Sequence, residues 1–234
     1  MIAHRGGVVQ EDTPENSREA LLKAAERGYW GVELDARMTK DSVLITHHDK
    51  DFIRYYEVDK EVAEMDWEEV SALISTSGTR VQTLEEALVL CAELKLNVMI
   101  DNKINGLPIP LFEEMLRQLD ELGLRETALM IGNSASTEYF TGKIALSCSR
   151  EQLEENMLRA DYDPNNYYLF RNPSAEDAEW AKQHNIRIVG IINEWALDKE
   201  RELEEATEIK ENILRNGIEY VQLDSKYDSF FLEN

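Results

Sequence analysis

A chain of 234 residues with 47 acidic and 25 basic side chains carries a formal net charge of −22, which argues against nucleic acid or an anionic membrane as a partner. Hydrophobic residues make up 43% of it, enough for a sizeable core, yet no run of about eighteen apolar residues marks a membrane span. The opening residues, MIAHRGGVVQEDTPEN, lack the basic start and apolar middle of a secretory leader, so the sequence as it stands reads as cytoplasmic; a secreted or periplasmic address would require a leader trimmed from it.

Strand-like and helix-like patterns alternate along the chain. A first strand at residues 1–3 is followed by helix-start signals at Thr13-Pro14 and at Asn16 with Glu19 three residues on. A second strand spans 31–35. Residues 42–78 then break the rhythm, reading as a short strand, an irregular stretch and a small helix at 67–74. Leu84, Ala87, Leu88, Cys91 and Leu94 follow helical spacing, as do Phe112, Met115, Leu116, Leu119 and Leu122 on the far side of a strand at 97–101. Further strands fall at 128–131, 143–146, 167–170, 187–192 and 220–223, and the acidic run from Asp198 to Glu205 reads as a solvated helix face. Eight strands alternating with helices across short connections predict an α/β fold, a (β/α)8 TIM barrel. Residues 1–234 form a single domain in this reading, with a small insertion after the second strand at about 42–78. A doubly wound open sheet is the competing architecture, although Gly6-Gly7 lacks the rest of a dinucleotide fingerprint. Cys91 and Cys148 have no metal or redox spacing and read as small core residues.

In such a barrel the carboxyl ends of the strands build the active site. His4-Arg5-Gly6 lies there on the first strand, Glu33 and Asp35 on the second, Asp101-Asn102-Lys103 on the third, and the insertion contributes His48-Asp49. Glu33 and Asp35, two residues apart on a strand, point to one face, and burying two like charges requires something opposite them. Two readings stay open. Glu33, Asp35 and Asp101 converge on one divalent cation, with all-oxygen ligation favouring Mg²⁺ or Ca²⁺ and the softer donors His4 and His48 leaving a transition metal open. Otherwise the carboxylates pair with bases such as Arg37. His4 and His48 suit paired acid and base work near neutral pH. His47 should point away from its neighbour, and His184 belongs to a polar helix end. Arg5 and Lys103 suit phosphoryl oxygens, or else simply neutralise the carboxylates.

These residues resemble the glycerophosphodiester phosphodiesterase family. The ordered pieces are Ala3-His4-Arg5-Gly6, Pro14-Glu15-Asn16-Ser17, Gly31-Val32-Glu33-Leu34-Asp35 continuing through Thr39-Lys40-Asp41, and His48-Asp49 with Arg54 beyond. Thr83-Leu84-Glu85-Glu86 and Ile100-Asp101-Asn102-Lys103 extend the match, with a weaker echo at Asn193 and at Gly217 to Asp224. The resemblance implies a barrel hydrolysing glycerophosphodiesters to glycerol 3-phosphate and an alcohol, with His4 and His48 as acid and base and Glu33 and Asp35 as metal ligands. The family's third ligand is usually glutamate, and here that position is Asp101. Asn102 replaces a typical apolar residue, and Gln222-Leu223-Asp224 departs from the usual Thr-Asp ending.

The chemistry expected from these parts is metal-assisted attack of the glycerol 2-hydroxyl on phosphorus, giving a cyclic phosphate that water then opens, with Arg5 and Lys103 steadying the phosphoryl oxygens. The substrate partner is then a small glycerophosphodiester. Competing expectations are a lyase that stops at the cyclic phosphate, a lysophospholipase D whose apolar entrance is lined by Phe52, Tyr55, Tyr56 and Trp67, and a catalytically silent phosphodiester-binding barrel.

Overall fold

Eight parallel strands close into a barrel in the computed structural model, which describes residues 1–10 and 12–232. In chain order they are Ile2–Ala3, Gly31–Met38, Asn97–Asn102, Leu129–Ile131, Ala145–Cys148, Tyr167–Phe170, Arg187–Ile192 and Tyr220–Leu223. Each pairs with its sequence neighbours, and the first pairs with both the second and the eighth, which excludes an open sheet.

The strands are apolar almost throughout because both faces are covered. One set of alternate residues, Ile2, Met99, Leu129, Ala145, Tyr168 and Val189, fills the barrel interior. The other set, including Ala3, Val32, Leu34, Val98, Ile100, Leu146 and Leu169, packs outward in the layer shared with the helices. Glu33, Asp35 and Asp101 belong by parity to the inward set. The register pairs Glu33 with Met99 and Asp35 with Asp101, so the second and third strands deliver their carboxylates side by side.

The helices follow the expected periods: Leu84–Leu94 opens on a Thr83 capping box, and Ile109–Glu121 turns Phe112, Met115, Leu116 and Leu119 inward. The first helix, Arg18–Glu26, is a correction. Its cap is Ser17, whose hydroxyl accepts from Ala20 N–H, and Asn16 sits in a left-handed conformation (φ 55°) with its side chain committed elsewhere.

The second strand runs on to Met38 because Ala36, Arg37 and Met38 gain an antiparallel partner outside the barrel, the strand Leu44–Thr46. The irregular stretch of the insertion proves to be a hairpin, Asp51–Phe52 against Val58–Glu61, around a short helix Ile53–Tyr56. The expected helix at 67–74 is limited to Trp67–Ser71. Phe52 is fully buried with Ile45, Val62, Met65 and Val70, and Tyr56 and Trp67 pack against that same cluster. Of the four aromatics expected at an entrance, Tyr55 lines the cleft described below. Both cysteines are buried, and burial pushes the Cys148 thiol up to about 11. No helix among the described residues is long and apolar enough to cross a membrane.

Candidate active site

The first strand ends in a tight turn, His4–Gly6, in which Arg5 is left-handed (φ 54°) and Gly6 follows at φ 74°. A Cβ on Gly6 would lie 2.5 Å from Asn16 Cα, so glycine lets this turn press onto Asn16. Asn16 in turn brackets the second strand. Its Nδ2 donates to Asp35 Oδ2 at 2.7 Å and its Oδ1 accepts from Asp35 N–H at 3.1 Å.

Glu33, Asp35 and Asp101 each present an oxygen within 4.8 Å of the others. Glu33 and Asp35 are 1% exposed. Burial first, then the charges of Asp35 and Asp101, holds the Glu33 carboxyl well above the usual range, despite an Arg5 N–H donated to its Oε2 at 2.6 Å. Asp35 goes the other way: burial raises it, but Lys103, His48 and the Asn16 amide together bring it below the ordinary value. Lys103 Nζ stands among these groups, 2.6 Å from Asp101 and 3.2 Å from Asp35. Arg37 donates Nε and Nη2 to the His48 carbonyl at 3.0 and 2.6 Å and so is not paired with either carboxylate of its strand. Three carboxyl groups converge here, and burial with the two neighbouring charges pushes that of Glu33 toward its neutral form. The donor set could hold a metal ion.

The two histidines share one arrangement. His4 Nδ1 lies 2.6 Å from Asp224 Oδ1, and the other Asp224 oxygen accepts Glu194 N–H at 2.7 Å. Burial would raise the Asp224 carboxyl, but the His4 hydrogen bond and charge and the Glu194 N–H bring it below its ordinary value. His48 Nδ1 lies 2.8 Å from Asp49 Oδ1, whose partner oxygen takes Arg54 Nε–H at 2.7 Å. Arg54 also pairs with the buried Glu15, which accepts from Arg5 Nη1 at 2.9 Å. A carboxylate accepts, so each Nδ1 carries the proton and each Nε2 is left for chemistry. His47 turns away, with Nε2 2.8 Å from the Asp51 carbonyl and its ring against Phe52, and burial lowers its pKa. His184 caps its helix with Nδ1 on the Trp180 carbonyl.

His4 and His48 line one pocket of about 410 Å³ with Arg5, Asp101 and Lys103. An adjoining lobe of about 490 Å³ shares His4, Arg5 and Trp195 with it and is bordered by Tyr55 and Glu194. The Arg5 guanidinium reaches Glu15 and not the carboxylate triad; its Nε–H is buried without a partner, as is Asn193 Oδ1 on the pocket wall. Reading by motif missed the supporting roles of Asn16, Glu15, Arg54 and Asp224. Asp224 directly follows the eighth strand, so the strand-end rule that found Asp101 would have found it too.

Residues 4–154 match the family model described as the glycerophosphoryl diester phosphodiesterase family. Among curated proteins, glycerophosphodiester phosphodiesterase 1 of Mus musculus is 33% identical over 111 residues, 44% of this chain and 33% of that protein, so the match spans about a third of the relative's length. A glycerophosphoryl diester phosphodiesterase from Parabacteroides distasonis superimposes with a TM-score of 0.73 at 21% identity, covering 100% of this chain and 87% of the other. An Oleispira antarctica phosphodiesterase, solved with the product sn-glycerol-3-phosphate, gives a TM-score of 0.69 at 18% identity over 98% of this chain and 95% of its own.

Proposed function

The chain belongs to the glycerophosphoryl diester phosphodiesterase family, and from that premise we propose that it hydrolyses glycerophosphodiesters to glycerol 3-phosphate and an alcohol in the pocket shared by His4 and His48. One observation carries the proposal: two imidazoles, each with Nδ1 on a carboxylate, border the same pocket as Asp101, whose carboxylate converges with those of Glu33 and Asp35 beneath it. The similarity in fold to a phosphodiesterase that holds glycerol 3-phosphate supports it.

Glu33, Asp35 and Asp101 would hold one divalent cation, Mg²⁺ or Ca²⁺, which supplies Lewis-acid polarisation of the phosphoryl group. His48 accepts the proton of the attacking glycerol hydroxyl through Nε2. We assign His4 the donation to the departing alcohol, because its ring borders both lobes of the cleft. Attack by the neighbouring hydroxyl closes a cyclic phosphate, and water opens it with the two histidines exchanging roles. Asp224 and Asp49 accept from Nδ1–H and orient each ring, so that His48 presents a free Nε2 lone pair while His4 enters the step with a second proton on Nε2, the one it gives to the departing alcohol. Arg5, with Nε–H unpartnered, and Lys103 supply positive charge to the phosphoryl oxygens. Residues 1–234 act in this reading as one barrel domain whose insertion exists to deliver His48.

The test is release of glycerol 3-phosphate from a panel of diesters, in EDTA and then in Mg²⁺ or Ca²⁺. Turnover should need the cation, and His4→Ala and His48→Ala should each lower it by roughly 10²–10⁴-fold with the fold intact. Phosphorus NMR separates a lasting cyclic product, the lyase outcome, from a monoester. No turnover with either ion would point to a silent phosphodiester-binding barrel.

A further inference from the structure

The carboxylates bordering the two lobes are Glu15, Asp101, Glu194 and Asp224. Each is already partnered inside the protein, by Arg5, Lys103, Lys226 and His4 respectively. The cations are not all so matched. Lys199 borders the outer lobe but lies between Asp198 and Glu200 in the chain. Arg171, on the wall of the catalytic pocket, has no carboxylate partner among the described residues. In a protein of net charge −22, Lys199 and Arg171 are thus without an ion-pair partner among the described residues, and of the two only Arg171 borders the pocket that holds both His4 and His48.

The backbone holds Arg171 there deliberately. It follows the sixth strand in a left-handed conformation (φ 85°), which side chains other than glycine and asparagine rarely adopt. Two contacts to the seventh strand enforce it. Arg171 N–H donates to the Val189 carbonyl at 3.0 Å, and the Asn172 side chain both donates to the Ile191 carbonyl and accepts Ile191 N–H, each at 2.8 Å. Strained residues so fixed concentrate at binding sites. The position matters as well. In the ring of eight strands the sixth is four places from the second in either direction, so Arg171 stands across the mouth from Glu33 and Asp35. A phosphoryl group held at the carboxylate triad would occupy one side of the pocket and leave Arg171 facing the other.

Resting on the hydrolase reading above, we propose that Arg171 is a specificity-determining residue that selects diesters whose alcohol half carries its own anion, a carboxylate or a phosphomonoester. A cationic alcohol such as choline would find Trp195 to stack on, but no free carboxylate and an uncompensated guanidinium nearby. An anionic alcohol meets a planar fork suited to two oxygens.

The experiment uses matched glycerophosphoryl diesters of ethanol, choline and glycolate, reading both kcat/KM and, by calorimetry on the cation-loaded protein, Kd. Wild type should favour the glycolate ester over the choline ester by about tenfold or more, a single charge-assisted contact's worth. Arg171→Gly suits the left-handed backbone better than arginine does, so it should fold at least as well. It should remove the preference while changing the ethanol ester by less than about threefold, and Arg171→Lys should restore part of it. Equal affinity of wild type for the three esters, or an equal loss on all three in Arg171→Gly, would overturn the inference. Turnover of none of them would count against the hydrolase reading alone, since the calorimetric preference still decides Arg171.

Discussion

Glu33→Gln should make the cation-free protein more stable. At an effective dielectric of about 20, charges within 4.8 Å repel by roughly 3 kcal/mol per pair, and Glu33 faces both Asp35 and Asp101. Lys103, in contact with the other two carboxylates, cancels roughly one such pair. The Arg5 N–H survives the substitution as a neutral hydrogen bond, losing about 1 kcal/mol. The remainder is a gain of about 1–2 kcal/mol at pH 8, which for a chain of this size raises Tm by roughly 3–6 °C. Thermal melts in EDTA measure it directly. In Mg²⁺ or Ca²⁺ the order should invert, because a cation at about 100 times its Kd adds about 2.7 kcal/mol to the wild type alone. If Glu33→Gln melts below wild type in EDTA, or gains equally from cation, the three carboxylates are not a strained cation site.

Asp224 positions His4 through a 2.6 Å contact, so Asp224→Asn should lower kcat by about 10²–10⁴-fold with KM nearly unchanged, and should add little to the defect of His4→Ala. Steady-state kinetics on the three variants and the double check this. The Asp49 carboxyl is held below its ordinary 3.8 by the His48 hydrogen bond first, against burial, and with further help from Arg54. Its contribution to stability is therefore present above about pH 4 and lost as pH falls below that. Asp49→Asn should then cost less than about 1 kcal/mol at pH 7, given its partial exposure, with the Tm gap starting to narrow below about pH 4 and still present at about pH 3. Phe112 is fully buried, 4.8 Å from the Phe140 ring, and Phe112→Ala should cost about 3–5 kcal/mol, read as a Tm fall of roughly 10 °C.

The barrel was legible because its strands are doubly buried and so stand out as apolar runs, and because helices between them keep a clean period. What escaped the eye was local competition and distance. Asn16 and Ser17 both suit a helix cap, and only the fold shows that asparagine's tolerance of a left-handed backbone frees it to hold Asp35. The hairpin strand Asp51–Phe52 has two residues, too few to display alternation. Tyr55 and Phe52 carry similar side chains three residues apart, yet one borders the cleft and the other lies in a core. His4 and Asp224 are 220 positions apart, a link that closure of the ring alone creates.

That closure has a temporal side. Synthesis makes His4 long before the aspartate that holds its ring, because Asp224 follows the eighth strand, 220 positions later. The segment from residue 4 to residue 154 holds the metal-type carboxylates and both histidines but ends before Asp224 and Arg171. A chain cut between residues 154 and 220 would therefore carry the three carboxylates with His4 and His48 but leave His4 without the carboxylate that orients it.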